Sequence, residues 1–334
     1  MSFKNWLKMK SEVYPHLLKI GTPTVSAEIS GGNSSVFKGH LPDGTALAIK
    51  EYKGDKQRIE RMLSREEKAI TFLRGHGIRD IPEILEVRTD LGLIVYRWIE
   101  GKAPFANHEA MSAIIQMNNA LADIHKNDGI FDNAIDAVFS VPEISNQILI
   151  RIQQFEVSYP TASMRVLCDQ LNERLRSCIS NQSQISEFTQ HTLSISDLGT
   201  HNIICSGSFY NFIDFEFFGL DSIHKLVGDF LLHPRNEFQE AEILRFMESI
   251  SNFSNWDPIE LNKVMPLLTL KWAVIAYGRT FRETKLEASG EISEEQIEKS
   301  NGSLYLDYFD SFKLTESQDR FVTFRSFKGI IGQS

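Results

Sequence analysis

The spacing of apolar and polar residues divides the chain into a β-rich part and a helical part. From Thr24 to Trp98, short apolar or alternating runs are bounded by turn residues, which is typical of strands. The predicted strands are 24–29, 36–41, 45–52, 82–87 and 93–98. Pro42-Asp43-Gly44 predicts a hairpin turn, and Asp55 predicts the cap of a helix that runs to about Arg74. This part of the chain therefore predicts a small sheet with one helix.

Helical periodicity dominates the rest of the chain. The predicted helices are 111–126, 142–157, 161–181, 225–232, 236–252, 257–284 and 293–313. Another amphipathic helix is predicted at 2–20, and Pro266 is expected to kink or split the helix at 257–284. Because the strands precede the helices rather than alternating with them, we expect an α+β fold and not a parallel βαβ sheet. We place an N-terminal lobe at 1–98 and a helical C-terminal lobe at 99–334.

The bulk composition narrows the class of protein. The 334 residues are enough for two lobes, and 42% hydrophobic with 24% charged residues is ordinary for a globular protein. A net charge of -9 argues against a nucleic-acid partner, since nucleic-acid-binding surfaces are normally basic. Three cysteines without a C-x-x-C pair argue against a disulfide framework and a zinc site. Without an apolar leader or a long apolar run, we expect a cytoplasmic protein with no membrane partner.

The candidate chemistry lies in a polar loop between two apolar runs. The stretch Leu193-Ser-Ile-Ser-Asp-Leu-Gly-Thr-His-Asn-Ile-Ile204 contains Asp197 and Asn202, and the run Phe209-Tyr-Asn-Phe-Ile-Asp-Phe-Glu216 contains Asp214. Transfer of a γ-phosphoryl group requires a carboxylate that accepts the hydroxyl proton, together with an amide and a carboxylate that hold magnesium. Asp197 is the candidate for the first role, and Asn202 and Asp214 are the candidates for the second. Alternatively, Asp197 and Asn202 only cap turns.

These residues resemble the aminoglycoside phosphotransferase and choline kinase family. The family pattern is His-Gly-Asp-x-x-x-x-Asn followed by Ile-Asp-Phe-Glu; this chain keeps Ile213-Asp214-Phe215-Glu216 but has Ile195 and Ser196 in place of His-Gly. The resemblance, over about residues 24–285, implies a two-lobed protein-kinase-like α+β fold with an antiparallel N-terminal sheet and a mainly helical C-terminal lobe. It also implies Mg²⁺-dependent transfer of the γ-phosphoryl group of ATP or GTP to a small-molecule hydroxyl, on an aminoglycoside, choline or another amino alcohol, or a sugar.

Lys50 and Glu66 are the candidate ion pair of the N-terminal lobe. Lys50 closes the apolar strand segment Ala46-Leu-Ala-Ile-Lys50, where a buried lysine needs a functional reason. The family resemblance implies that it contacts the α- and β-phosphates; the alternative is a strand-end lysine that reaches water. Glu66 shares the apolar face of the predicted helix with Ala69 and Leu73, so it needs a cation, and Lys50 is the natural partner.

Two segments are candidates for nucleotide binding. The first turn of the sheet contains Gly31, Gly32, Asn33 and Ser34. Glycine there lets the backbone lie against a phosphate, although such clusters are mostly plain hairpin loops. The segment Trp98-Ile-Glu-Gly-Lys-Ala-Pro104 resembles the linker between kinase lobes, where backbone groups pair with the purine. Trp98 and Ile99 are therefore assigned to nucleotide binding by this resemblance.

The sequence leaves the acceptor and the oligomeric state open. A long activation segment after Asp214 is missing, which favours a compact acceptor over a peptide, and the acidic balance slightly favours a cationic one. Five aromatic residues of the predicted helices either line a substrate cavity or pack in the core: Trp272, Tyr277, Phe281, Tyr305 and Phe309. Packing in the core is the commoner case. Asp221 and Asp229 are interpreted as structural, and no H-x-x-x-H metal pair includes His233.

The rival hypothesis is a catalytically silent nucleotide-binding scaffold. It is motivated by the missing His-Gly pair, because that histidine helps to brace the catalytic loop in the family. Against it, the groups that contact phosphate, metal or acceptor proton are all present: Lys50, Asp197, Asn202 and Asp214. Charges of this kind are costly to cluster without a ligand, and Ile195 can brace the loop by packing. An active kinase is therefore favoured.

Overall fold

The computed structural model describes residues 24–30, 34–127, 130–181, 187–253, 258–287 and 292–314. Its described residues form two compact units. The first contains the described residues up to Phe105 together with Thr200–Gly219, and the second contains the described residues of Ala106–Gly199 and those from Leu220 onward. The helix predicted at 2–20 lies outside the described residues, and the lobe boundary at residue 98 stays a prediction.

The first unit contains a five-stranded antiparallel sheet. Its strands are β1 (Thr24–Ser30), β2 (Ser34–His40), β3 (Ala46–Tyr52), β4 (Ile84–Arg88) and β5 (Leu93–Arg97). They lie in the order β1-β2-β3-β5-β4, and each neighbouring pair is antiparallel. The helix α1 (Lys56–Gly75) follows β3, and the Asp55 side chain caps it by accepting the Arg58 N–H at 2.9 Å. The predicted sheet and its helix are confirmed.

The pleat of β3 separates an apolar face from a charged one. Leu47 and Ile49 join a buried apolar cluster with Phe37, Leu93 and Val95. Because successive side chains of a strand point to opposite faces, residue 50 points away from this cluster. The alternation of β3 therefore stabilises the sheet on one face and carries a lysine on the other.

A hairpin built from residues 203–212 also belongs to the first unit. β7 (Ile203–Ser206) pairs with β8 (Phe209–Phe212), and Gly207 in the turn has a φ of 62°. The Phe212 N–H donates to the Asp80 carbonyl at 2.9 Å, which ties the hairpin to the segment after α1. The hairpin therefore places the residues on both sides of it within the same unit as the five-stranded sheet.

The hairpin also approaches the segment after β5 very closely. The Lys102 N–H donates to the Cys205 carbonyl at 3.2 Å, and the Cys205 N–H donates to the Lys102 carbonyl at 2.8 Å. Gly101 has a φ of 145°, and a Cβ on it would lie 2.3 Å from Cys205 O and 2.7 Å from Ile204 Cγ2. Only glycine fits this conformation and this contact.

Gly101→Ala is therefore expected to lower the free energy of unfolding by about 3 kcal/mol, since backbone strain and overpacking each cost about 1–3 kcal/mol. Gly207→Ala is the matched control, because its φ is also positive but its added Cβ would meet no atom within 4 Å. Strain alone should cost that control about 1–2 kcal/mol. Urea unfolding measures both variants, and equal losses would contradict the steric argument.

The second unit is mainly helical. Its helices are α2 (His108–Asn127), α3 (Val141–Ser158), α4 (Ala162–Asn181), α5 (Ile223–Leu232), α6 (Glu240–Phe253), α7 (Pro258–Glu287), α8 (Glu294–Glu298) and α9 (Asn301–Leu314). A two-stranded pairing joins β6 (His191–Ser194) to β9 (Gly219–Ser222). The α+β fold, with an antiparallel sheet that precedes a mainly helical part, is thus confirmed. None of the helices in the described ranges is long and apolar enough to cross a membrane.

Two helix predictions differ from the structure. Pro266 does not split its helix, because its neighbours Met265 and Leu267 are buried and their packing outweighs the cost of a proline, about 3 kcal/mol; the alternative of a kink stays a prediction. The helix predicted at 293–313 is two helices. Ser293 and Gln296 form a capping box that starts α8, which ends after five residues.

The sequence left two alternatives for five aromatic residues, packing in the core or lining a cavity, and most of them pack in the core. Tyr277, Phe281, Tyr305 and Phe309 are at most 2% exposed. Trp272 is half-buried and stacks on Tyr305 with ring centroids 6.1 Å apart. These rings therefore pack helices of the second unit against one another.

Candidate active site

Lys50 is the centre of a buried ion cluster in the first unit. It is 5% exposed on β3, and its Nζ lies 2.7 Å from Glu66 Oε2 and 2.7 Å from Asp214 Oδ1. Glu66 reaches it from the apolar face of α1, where this carboxylate is 1% exposed. Glu216 Oε2 lies 3.2 Å from the same Nζ. The predicted Lys50–Glu66 pair is confirmed, and Asp214 joins it from 164 residues further along the chain.

The charges of this cluster do not balance, because three carboxylates converge on one ammonium. One oxygen each of Glu66, Asp214 and Glu216 lies within 4.8 Å of the others. Burial lowers the pKa of Lys50, but the charges of Asp214, Glu66 and Glu216 outweigh burial and raise that pKa well above its ordinary value. Burial raises the pKa of Glu66, while the Lys50 ammonium opposes that shift. The cluster therefore has an excess of negative charge.

Two members of the cluster were not predicted from the sequence. The Tyr52 hydroxyl donates a short hydrogen bond to Glu66 Oε2. Tyr52 lies two residues after Lys50 on β3, so the period of two in a strand was the signal that could have found it. Glu216 ends the Ile213-Asp214-Phe215-Glu216 motif, but the motif alone assigned no role to it.

The backbone at Asp214 is held in an unfavourable conformation. Asp214 has a φ of 69°, in the left-handed region, which aspartate adopts at a smaller cost than most residues other than glycine but which is still uncommon. The next residue, Phe215, is fully buried, and its N–H donates to Glu66 Oε1 at 3.4 Å. Glu66 thus binds both the Lys50 ammonium and the backbone that follows Asp214. Strain of this kind is concentrated at functional sites.

Asn202 and Asp214 lie at the open end of the β7–β8 hairpin. Asn202 immediately precedes β7 and is 7% exposed, and its carbonyl accepts the Ile213 N–H at 2.9 Å. Asp214 follows β8 by two residues and its side chain is 32% exposed. The hairpin therefore brings together the two residues predicted to hold magnesium.

The glycine-rich turn is mostly outside the described residues. Gly31, Gly32 and Asn33 fall there, so their predicted contact with phosphates stays a prediction. Ser34 begins β2 and pairs in register with Tyr52 at the end of β3. Ser34 therefore lies on the strand next to the one that carries Lys50.

Trp98 and Ile99 follow β5 and are both half-buried. The backbone N–H of Trp98 donates to the Ala46 carbonyl at 3.0 Å. The Lys38 Nζ lies 4.4 Å from the centroid of the Trp98 ring. Lys38 also pairs with Glu100 at 2.7 Å. The position of this segment beside β3 is established, and its role toward a purine stays a prediction.

Asp197 lies in the second unit, in the loop after β6. The Ser194 hydroxyl accepts the Ser196 N–H at 2.9 Å, and the Asp197 N–H donates to the Ile195 carbonyl at 2.9 Å. Ser196 has a φ of 67°, so a second residue near the candidate chemistry occupies the left-handed region. Ile195 is 2% exposed, in agreement with a packing role.

Two residues after α5 contact this loop and were missed by the sequence reasoning. His233 Nε2 lies 3.2 Å from Asp197 Oδ1, and the Asn236 side-chain amide donates to the Leu198 carbonyl at 2.9 Å. The sequence reasoning considered His233 only as a metal ligand. The periodicity of α5 gave no signal for either contact.

Asp221 and Asp229 belong to a buried ion network, in agreement with a structural role. The Lys225 Nζ lies 2.7 Å from Asp221 Oδ2 and 3.0 Å from Asp229 Oδ2. The Trp272 indole N–H donates to Asp229 Oδ1 at 2.8 Å. Burial opposes the charged form of Asp229, but the Lys225 charge outweighs it and lowers the pKa of Asp229.

Lys271, on α7, is a second buried lysine beside this network. It is 2% exposed, and burial, followed by the charge of Lys225, lowers its pKa from 10.5 to about 8. The unfolded chain therefore holds this proton between about pH 8 and 10.5, whereas the folded protein releases it. Stability rises with pH wherever the unfolded state binds more protons, so this lysine should make the protein about 3 kcal/mol more stable at pH 10.5 than at pH 7.

Lys271→Met is expected to remove this rise. The variant should be more stable than the natural protein. The difference in free energy of unfolding should be largest near pH 7 and about 3 kcal/mol smaller at pH 10.5. Urea unfolding at several pH values measures the difference, and Lys263→Met, on the exposed side of the same helix, is the control. A difference that stays constant with pH would contradict the buried, proton-releasing lysine.

The fold is shared with solved small-molecule kinases. The choline kinase LicA from Streptococcus pneumoniae is similar over 92% of this chain and 99% of its own, with a TM-score of 0.60 and 14% identity. Spectinomycin phosphotransferase APH(9)-Ia, in complex with ADP and spectinomycin, is similar over 99% and 98%, with a TM-score of 0.55 and 13% identity. APH(2″)-IIia, in complex with GDP and kanamycin, is similar over 94% and 99%, with a TM-score of 0.56 and 15% identity.

The resemblance to choline kinases and aminoglycoside phosphotransferases is thereby confirmed at the level of the fold. No protein-family model matches the chain, and no curated protein matches it in sequence. At these low identities the likeness establishes architecture, and any activity has to be argued from the site itself.

Proposed function

We propose that the protein is a Mg²⁺-dependent kinase that transfers the γ-phosphoryl group of ATP or GTP to a hydroxyl of a small molecule. The observation that carries this proposal is the convergence of Glu66 and Asp214 on the buried Lys50 ammonium, each at 2.7 Å. A lysine held by a helix carboxylate beside a metal-binding aspartate is the arrangement that phosphoryl transfer in kinase folds requires. If these charges served only the fold, apolar residues of similar size would stabilise it at least as well, so their burial indicates a ligand.

In this proposal Lys50 holds the phosphates and Glu66 orients Lys50. The pKa of Lys50 is raised, so its ammonium is charged at neutral pH. Glu66 is fixed in turn by the Tyr52 hydroxyl and the Phe215 N–H. A lysine positioned in this way meets an incoming phosphate without further rearrangement.

Asn202 and Asp214 would hold the magnesium ion. An amide oxygen and a carboxylate are the hard oxygen donors that Mg²⁺ prefers. The excess negative charge around Lys50 and the partial exposure of the Asp214 side chain, 32%, fit a cation at this place. When bound, the ion would neutralise charge on the β- and γ-phosphates.

Asp197 would orient the acceptor hydroxyl and accept its proton. It stands five positions before Asn202, in the order and spacing of the family pattern. A silent scaffold would also bind nucleotide and magnesium, so nucleotide binding does not distinguish it from an enzyme. The presence of a carboxylate at 197 favours the enzyme.

The nucleotide would contact two further segments. The glycine-rich turn would place backbone N–H groups against the phosphates, and the segment after β5 would pair its backbone with the purine. The residues assigned to these contacts are Gly31, Gly32, Asn33, Ser34, Trp98 and Ile99. Similar folds have been solved with ADP in one case and GDP in another, which supports either purine.

The acceptor class proposed is a small alcohol, with a preference for cationic ones. Proteins of the same fold are named for choline or bind spectinomycin or kanamycin. The net charge of -9 attracts a cationic acceptor at long range. Amino alcohols and aminoglycosides are therefore the first compounds to try, followed by neutral sugars.

A screen of alcohols for release of nucleoside diphosphate tests the proposal. The natural protein is incubated with ATP or GTP, Mg²⁺ and each alcohol, and the Asp197→Asn variant is the blank. An acceptor that raises release only with the natural protein supports the kinase. Tight nucleotide binding, with neither hydrolysis nor any productive acceptor in a broad screen, would favour the silent scaffold.

A further inference from the structure

The loop that carries Asp197 lacks the histidine that braces it in the family pattern. Ile195 occupies that place and is 2% exposed, so it packs but offers no hydrogen bond. Ser196 is strained at a φ of 67°. A loop with this strain needs other contacts to keep one conformation, because a strained backbone persists only where its surroundings hold it.

The contacts of His233 define which of its nitrogens carries the proton. Its Nδ1 accepts the Arg235 N–H at 3.1 Å, so Nδ1 is unprotonated in this arrangement. The proton of the ring is therefore on Nε2, which lies 3.2 Å from Asp197 Oδ1. His233 thus donates a hydrogen bond to the Asp197 carboxylate, and the backbone of Arg235 selects the tautomer that can do so.

The His233 ring is itself held in place. It is 6% exposed, and its edge packs on the Trp272 ring with centroids 5.3 Å apart at 80°. Trp272 is anchored by its hydrogen bond to Asp229. A rotation of the His233 ring would therefore disturb its contact with Trp272 and, through Trp272, the hydrogen bond to Asp229.

The same segment also holds the backbone of the loop. The Asn236 side-chain amide donates to the Leu198 carbonyl at 2.9 Å and to the Phe230 carbonyl at 3.0 Å, and Asn236 is 1% exposed. Residues 233–236 therefore contact both the side chain of Asp197 and the backbone of the next residue. Two contacts on adjacent residues define the loop better than either contact alone.

We infer that His233 is a positioning residue for Asp197, donating its Nε2–H to Oδ1 in place of the brace that the missing family histidine would supply. This inference rests on the proposed function, in which Asp197 accepts the proton of the acceptor. The hydrogen bond fixes the rotation of the carboxylate, so that its oxygens keep one orientation toward the hydroxyl. A misplacement of about 1 Å at such a group can cost about 100-fold in rate.

The test compares two substitutions in the full chain. His233→Phe keeps the ring and loses the donor, whereas His233→Gln keeps an N–H donor at the position of Nε2. The Phe variant is expected to lose about 10- to 100-fold in kcat with nucleotide Kd unchanged, and the Gln variant should regain most of it. His224→Phe is the matched control: it replaces another buried histidine of the α5 segment, about 13 Å along the helix axis.

A double-mutant cycle separates positioning from general stability. In the Asp197→Asn background, His233→Phe should cause little further loss of kcat, because the residue through which it acts is already gone. If His233→Phe keeps its full effect in that background, or if the Phe and Gln variants lose the same activity, the inference is overturned.

An NMR measurement keeps the inference testable apart from the proposed function. The ¹⁵N resonances of the His233 ring, identified by their loss in His233→Gln, should show the Nε2–H tautomer and should shift on Asp197→Asn. If these resonances are observed but the protein shows no phosphotransfer, the proposed function is wrong and the contact between His233 and Asp197 still stands. An Nδ1–H tautomer, or chemical shifts that are unchanged by Asp197→Asn, would show that the contact itself is wrong.

Discussion

Replacing Asp197 by asparagine is expected to lower the rate of phosphoryl transfer by about 100- to 10,000-fold and to leave nucleotide affinity nearly unchanged. The side chain keeps its shape, and its amide oxygen can still accept the hydrogen bond from His233 Nε2. An amide cannot take up the proton of an acceptor hydroxyl, however, and general-base catalysis of this kind contributes about 10²- to 10⁴-fold. The loss should therefore appear in kcat and not in folding.

The measurement is single-turnover transfer to an acceptor from the screen, with nucleotide Kd by calorimetry and thermal unfolding beside it. Asp123→Asn, an exposed aspartate on α2, is the matched control and should behave like the natural protein. If no acceptor is found, slow hydrolysis of the bound nucleotide gives the same comparison. Equal rates for Asp197→Asn and the natural protein would remove Asp197 from the proposed mechanism.

Lys50→Met is expected to destabilise the protein by about 3–5 kcal/mol at pH 7 and to weaken nucleotide binding by about 10- to 100-fold. The substitution removes the ammonium that lies within 3.2 Å of all three carboxylates, two of which are at most 2% exposed. Breaking a buried ion pair by removing one partner costs about this amount of stability. The loss of affinity follows from the loss of a charged hydrogen bond to phosphate, about 1.5–3 kcal/mol.

The stability deficit of Lys50→Met should shrink as the pH falls. Without the ammonium, burial and the charge of Asp214 raise the pKa of Glu66 in the folded state unopposed, further above the unfolded value, so the folded variant binds more protons. Stability of the variant relative to the natural protein is therefore lost as the pH rises from about 5 to 7. Urea unfolding across this range measures it, with the exposed Lys53→Met as control. A deficit independent of pH would mean that the cluster is not ionised as described.

Adding Glu66→Gln to Lys50→Met should recover part of the lost stability. The double variant removes one of the carboxylates that the missing ammonium leaves unpaired, so the two losses should not add. Strict additivity would show that Lys50 and Glu66 act independently despite their 2.7 Å separation.

The sequence by itself determined the elements and the residue types of the site. Alternation over two residues and recurrence over three and four are local properties, so β3, α1 and most helices of the second unit could be read from them. The Asp55 cap and the apolar face that includes Glu66 are equally local. The Asp-Phe-Glu motif and the lysine at the end of an apolar strand were likewise visible without coordinates, and they sufficed to indicate phosphoryl transfer.

Only the tertiary structure decided which of these residues meet. Pro266 stays inside α7 because buried neighbours outweigh a local preference, and the helix predicted at 293–313 is interrupted between Glu298 and Asn301, which periodicity does not register. The contact of Lys50 with Asp214 spans 164 residues and that of His233 with Asp197 spans 36. Such contacts depend on how elements pack, and packing is a property of the whole core rather than of any window of sequence.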